Sequence, residues 1–328
     1  IVSEELLIDE IITAEDLDID EPNLLPNNPF YVFKEIGRGL QSFFTFNQIK
    51  KLELKEKFSN EKILEVKKMV EQGVDKKGIE IALRNYEKEL GDMQRISTRI
   101  QEKNETEDDE EVGKFLDKFI QKQILHQRII QKLENQISEE TMTRIRETKE
   151  KQLENFSQVM TKLEDNNAEK IQKRLEKNIK EIKGSDFQGL KNLEFLGELI
   201  EKVPEEVKNA VRNARESTLD ILKEKLESLS DQEKEKLQKY IENISGDGEK
   251  QLEILNRLKE ELPIIEKLLI DSGEKIQERI RERVQENNGE FKEEIKEDAE
   301  DKNDDMNKIE ENSLQKQIMQ PIKEMLNH

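Results

Sequence analysis

Two histidines are the only imidazoles this chain can bring to chemistry, His126 within an apolar-periodic stretch and His328 at the end. With only these two, neither a histidine-pair metal site nor a serine–histidine–acid triad within one constellation has material. His126 follows Phe119 and precedes Ile130 at helical seam spacing, so a packed side chain is expected there rather than a ligand or a pH switch. Cysteine is absent, which removes disulfides, thiol nucleophiles and thiolate metal sites. Gly37-Arg38-Gly39 lacks the further glycine and the lysine of a phosphate-binding loop.

Carboxylates are abundant instead: 76 Asp and Glu against 56 Lys and Arg leave a net charge of −20. A catalytic carboxyl needs burial to shift its pKa, and these faces read as solvated. The clusters Asp108-Asp109-Glu110-Glu111 and Asp298, Glu300, Asp301, Asp304, Asp305 lack the spaced, glycine-turned pattern of a tight calcium loop. No catalytic residue, metal site or cofactor is therefore expected. The acidic balance also disfavours nucleic acid, which asks for a basic stripe, and an anionic bilayer. No stretch approaches the roughly 20 apolar residues that span a membrane.

The elements that would position any working residue follow from composition and period. Hydrophobic residues make up 33% and charged residues 40% of the chain, against roughly 45–50% and about 25% in an average domain. Thin architecture with no sheltered interior is the expectation. Only 13 Gly and 6 Pro interrupt long runs of Glu, Lys, Leu, Ile and Gln, residues that tolerate or favour helix. The fold class expected is all-α: elongated antiparallel helical hairpins or a coiled-coil-like bundle behind an extended acidic N-terminal segment.

Five segments are expected. Residues 1–29 form an acidic leader or tether, in which Leu6, Leu7, Ile8, Ile11 and Ile12 could dock on another subunit. Residues 30–104 open with a knot of aromatics, Phe30, Tyr31, Phe33, Phe43, Phe44 and Phe46, which reads first as a core nucleus and second as an interaction patch. Thr45 or Asn47 should cap a long helix that Gly73 ends, and a second helix over 75–103, with Ile79, Leu83, Tyr86 and Leu90 on one stripe, should fold back on it. Residues 105–113 form an acidic linker. Repeated hairpins follow over 114–286, with Phe119, Leu153, Phe156, Ile171 and Leu175 among the seam residues and Ser230 to Glu233 reading as a capping box. Phe195-Leu196, Leu199 and Val203-Pro204 recur at constant offset as Ile254-Leu255, Leu258 and Leu262-Pro263, with Phe115-Leu116 and Phe119 as a third, proline-less copy. Residues 287–328 form an acidic helix and an amphipathic tail.

The run Pro29-Phe30-Tyr31-Val32-Phe33-Lys34-Glu35, then Gly37-Arg38-Gly39-Leu40-Gln41-Ser42-Phe43-Phe44-Thr45-Phe46, with Lys51-Leu52-Glu53-Leu54 and Phe58-Ser59-Asn60-Glu61-Lys62, resembles a bacterial domain-of-unknown-function family of exported helical envelope proteins. Leu199-Ile200-Glu201-Lys202-Val203-Pro204-Glu205-Glu206-Val207 is similar to a motif of its longer members. The resemblance implies helical architecture and export, to the cell envelope or beyond it, behind a leader removed before Ile1. It implies no activity and no functional residue. The function expected is an exported structural or scaffold protein that self-associates through helical seams, as a fibre or layer component, with itself or another envelope protein as partner. The alternative is a periplasmic helical chaperone or cation-binding stress protein.

Overall fold

Asn47 and Gly73 bracket the first long helix, and both do so by local chemistry. The Asn47 side chain accepts the backbone N–H of Lys50 at 2.8 Å, satisfying one of the orphan donors at a helix start. Gly73 turns the chain at φ 64°, in the left-handed region that a side chain disfavours. The computed structural model describes residues 12–281, apart from 104–108, 135, 138, 183–186, 243–247, 267–268 and 279. It divides into two compact units, Ile1–Ile276 and Gln277–His328.

Among the described residues every regular element is helical, as the all-α expectation requires. In order, within the first unit, these are α1 (Tyr31–Phe43), α2 (Gln48–Glu71), α3 (Lys76–Lys103), α4 (Asp109–Glu134), α5 (Glu139–Leu163), α6 (Ala168–Glu181), α7 (Gln188–Ile200), α8 (Glu205–Glu227), α9 (Asp231–Glu242) and α10 (Gly248–Glu261), with short 3-10 turns at Glu15–Leu17 and Pro263–Ile265. Helical residues resume at 269. Asp165 and Asn166, both at positive φ, stop α5, and Asn167 then caps α6 through the N–H of Lys170. Ser230 and Glu233 form the expected capping box before α9, the Ser230 N–H donating to Glu233 Oε2 at 2.8 Å. Pro204 and Pro263 each stand at the start of a new helical turn, which fits their missing N–H.

Helices α2 and α3 fold into an antiparallel hairpin, and α4 and α5 into another. Gln94 reaches Gln158, and Lys162 reaches Thr98, so residue numbers climb together and α3 runs parallel to α5. Arg174 meets Gly113 and Asp117 while Asn178 meets Gln121, which sets α6 parallel to α4. Lys149 and Ser157 of α5 reach Glu198 and the Lys202 carbonyl, which holds the end of α7 and the turn after it against α5. Pairs of helices are thus stacked in two layers, and α8 packs along both α6 and α7.

Phe115, Phe119, Phe156 and Phe195 form a continuous run of rings through α4, α5 and α7, with centroids 5.5, 5.7 and 5.3 Å apart. All four are buried, and each contributes on the order of 1.5–3 kcal/mol by leaving water. Both copies of the proline-bearing echo put their apolar residues in the core at the end of a helix, α7 and α10. The third copy lies instead in the first half of α4.

Two expectations require correction. The interior is thicker than composition implied: from Lys122 to Gln131 every residue of α4 is buried. Glutamines account for much of the difference, since Gln123, Gln127, Gln131 and Gln152 bury their stems beside the apolar seam. Carboxyls are sheltered as well, Glu56, Glu65, Glu89 and Glu194 among them, so the carboxylate faces are not uniformly wet.

The leader is the second correction. Ile12, Ala14 and Leu17 are buried in the common core, the Asn60 side chain donates to the Leu17 carbonyl at 3.0 Å, and Lys67 and Lys68 donate to the carbonyls of Ile12 and Pro22. Lys122 binds the Asp16 carbonyl and the Asp18 carboxylate. From residue 12 onward the leader is fastened to α2 and α4 of its own chain. Ile12 is therefore not free for a second subunit, while Leu6, Leu7, Ile8 and Ile11 lie outside the described residues, as do residues 287–328.

Candidate interaction surface

Helix α1 separates its residue types into two faces. At about 100° per residue, Tyr31, Lys34, Glu35 and Arg38 share one side, while Phe33, Ile36, Leu40 and Phe43 share the other. An amphipathic helix ordinarily turns its apolar side to the core. Here the polar side is inward and the apolar side faces solvent.

The inward face is a buried ionic cluster with α2. Glu65 and Lys62, both fully buried, stand at its centre. The Tyr31 hydroxyl donates to Glu65 Oε2, and Lys62 donates to the Tyr31 oxygen and to Glu35. Lys34 meets Glu65 at 2.9 Å and Glu61 at 3.5 Å. Arg38 binds Glu35 at 2.7 Å and also pairs with Glu61, its guanidinium lying over the Phe58 ring at 5.2 Å.

These contacts shift the protonation equilibria in consistent directions. Burial opposes ionisation of Glu35, but Lys62 and Arg38 outweigh it and hold the carboxyl below its ordinary value. Burial likewise works against Arg38, and Glu61, Glu65 and Glu35 reverse the effect and raise it. Burial lowers Lys62, with Glu65 offsetting part of the loss, and burial followed by Glu65 raises Tyr31. The cluster is an attachment whose charges are matched, and chemistry on a substrate would have to break it.

The outward face and the residues flanking the helix carry Phe30, Val32, Phe33, Ile36, Leu40, Phe43, Phe44 and Phe46, each between 55% and 81% exposed. They are eight of the ten exposed large apolar side chains among the described residues. Core nucleation, expected of the aromatic knot, is not what the knot does: Tyr31 alone is buried, and it packs in the ionic cluster rather than the apolar core. Phe30, Phe33, Phe43, Phe44 and Phe46 stay outside because α2 offers this helix carboxylates and Lys62, not an apolar groove. The cue in the sequence is the polar stripe Tyr31, Lys34, Glu35, Arg38, whose spacing puts it opposite the phenylalanines.

His126 is buried in α4, as its seam spacing suggested, with Nδ1 3.0 Å from the Tyr86 hydroxyl. Burial, and secondarily Lys122, lowers its pKa to about 3. Asp109, Glu110 and Glu111 form the first turn of α4, while Asp108 and the cluster from Asp298 to Asp305 lie outside the described residues. Among the described residues no group of three or more His, Asp or Glu is arranged to hold a metal ion, and no helix is long and apolar enough to cross a membrane.

No protein-family model matches the sequence, and no curated protein does. Two solved structures share helical layout at low similarity. One is a computationally designed self-assembling cyclic homo-oligomer, with TM-score 0.35, 12% identity, and 76% of this chain covering 92% of that one. The other is a circular tandem repeat protein of novel repeat topology, with TM-score 0.32, 16% identity, and 79% of this chain covering 51% of that one. At such scores neither likeness bears on fold or function.

Proposed function

We propose that this chain is a structural scaffold protein that self-associates, and that the outward face of α1 is its working surface. The observation that carries the proposal is the inverted orientation of α1, which keeps five phenylalanines in water and anchors them from behind through Lys62 and Glu65. Eight such side chains expose on the order of 1,000 Å² of apolar surface. That exceeds the roughly 300–600 Å² patch of a typical monomer and reaches the ~800 Å² that one partner contributes to a standard interface. An apolar centre poor in charge is also the composition of interface cores. Export, which the resemblance to the envelope family implies, would put the assembled product at the cell surface, where a fibre or layer would need a second contact besides this one. A scaffolding role needs no sheltered reaction site, and none is part of the proposal.

Sedimentation velocity of the full chain over a wide concentration range tests this. The expected result is a concentration-dependent oligomer that the double substitution Phe33→Asp/Phe43→Asp returns to monomer without loss of helical circular dichroism. A wild-type chain that stays monomeric throughout would overturn it.

A further inference from the structure

The exposed apolar positions of α1 and its flanks are arranged symmetrically about Arg38. Ile36 and Leu40 stand equally far from it along the chain, as do Phe33 and Phe43, Val32 and Phe44, and Phe30 and Phe46. Gly37 and Gly39 flank it directly. Arg38 itself points inward to Glu35 and Glu61, so the centre of the outward face is the helix surface behind it. Reversing the direction of this segment leaves its set of apolar positions unchanged.

A surface with that property suits a two-fold interface, in which each patch must complement itself after a half-turn. We propose that α1 pairs with α1 of a second copy, antiparallel, about a two-fold axis passing behind Arg38. Ile36 then faces Leu40 of the second copy, and Phe33 faces its Phe43. The glycines leave both shoulders of the crossing bare, since a Cβ added at Gly37 or Gly39 meets nothing within 4 Å. Backbones can therefore approach closely, as small residues allow in helix pairs.

Charge selects the same occupant. The chain carries −20 overall, which repels a second copy, yet the charged residues of α1 are Lys34, Glu35 and Arg38, and all three are engaged with α2. The outward face is thus without charge in a chain that carries −20. A bilayer is the poorer occupant: in-plane helices keep Lys and Arg at the flanks for lipid phosphates, and here Lys34 and Arg38 are turned into the protein. The area available also meets what a protein interface needs.

The pairing rests on the self-association proposed above, and cross-linking separates the two. The chain has no cysteine, so F33C and F43C can be made singly, one carrying a mass tag, and joined by a short bismaleimide. Phe33 of one copy should lie beside Phe43 of the other, whereas the two Phe33 positions are about 15 Å apart along the helices. The expected yield of the mixed F33C–F43C product exceeds the F33C–F33C product by at least about tenfold, as an antiparallel two-fold pair requires. An oligomer in which F33C joins F33C, or in which neither position cross-links, overturns the antiparallel pairing and leaves self-association standing. A monomer at all concentrations overturns both; flotation of that monomer with phosphatidylcholine vesicles would give the face to a bilayer, and its absence would give it to another protein or to the chain's own amphipathic end.

Discussion

The Tyr86 hydroxyl on α3 meets Nδ1 of His126 on α4 at 3.0 Å, a polar contact inside the helical stack where both residues are fully buried. Burial raises the tyrosine pKa well above its ordinary value and lowers the histidine to about 3, so both are neutral and the hydroxyl donates to the ring. The imidazole proton is then on Nε2, a buried atom with no hydrogen-bond partner among the described residues. Removing one partner strands the other, so Tyr86→Phe and His126→Leu should each destabilise by about 1–3 kcal/mol. The double substitution strands neither partner and should cost clearly less than the sum. Urea unfolding of the four proteins would show it; additive losses would mean that the hydrogen bond contributes nothing to stability.

His126 also sets an acid limit. Its folded pKa of about 3 lies below the ordinary 6.5, so between these values the unfolded chain binds a proton that the folded chain refuses. Stability is complete above pH 6.5 and declines as pH falls, by at most about 1.4 kcal/mol per unit from this group. Glu56 acts in the opposite sense. Burial raises it to about 8 from 4.5, with Lys122 and Lys118 opposing, and one carboxyl oxygen has no hydrogen-bond partner among the described residues. The folded chain holds that proton more tightly, so this contribution is present below pH 4.5 and is lost as pH rises through 8. Glu56→Gln should therefore gain stability relative to wild type between pH 5 and 8.5, while His126→Leu flattens the decline between pH 6.5 and 5. Thermal unfolding across that range, with Tm differences independent of pH, would refute both assignments.

Much of the fold was legible because it is decided by neighbours in sequence. Asn47 as a cap, Gly73 as a stop and Ser230 with Glu233 as a capping box depend on a few adjacent residues and need no tertiary knowledge. The seam through Phe119, Phe156, Ile171 and Leu175 was legible from period alone, and all four are buried. What escaped depended on what a face meets. Glu56 and Glu65 look like solvated helix carboxylates until α1 and the leader close over α2, and Leu17 docks through its carbonyl, to which the Asn60 side chain of α2 donates. The interaction residues Ile12 and Tyr31 are occupied within the chain for the same reason, whereas the phenylalanines grouped with Tyr31 are not. Composition and period identify an amphipathic helix, but they do not say which side turns inward when its neighbour offers charge.

That ambiguity makes the attachment of α1 the most exposed point of the molecule to test. Lys62 is fully buried and holds the Tyr31 oxygen, Glu35 and Glu65 together. Lys62→Met keeps the length and removes the charge, taking from Glu35 its nearest cation and from buried Glu65 one of the cations around it, at a cost of up to about 3–5 kcal/mol. Because α1 touches the remainder mainly through this cluster, the loss should be local: hydrogen exchange should quicken across Tyr31–Phe43 while α3 and α5 keep their protection. Acid should do the same to wild type. Glu35 is held below its ordinary 4.5, so its share of the attachment is present above that pH and is lost as pH falls through the folded value. Exchange that quickens equally in α1, α3 and α5, in the variant or on acidification, would mean that α1 is not fastened by this cluster and that its apolar face is not held out from behind.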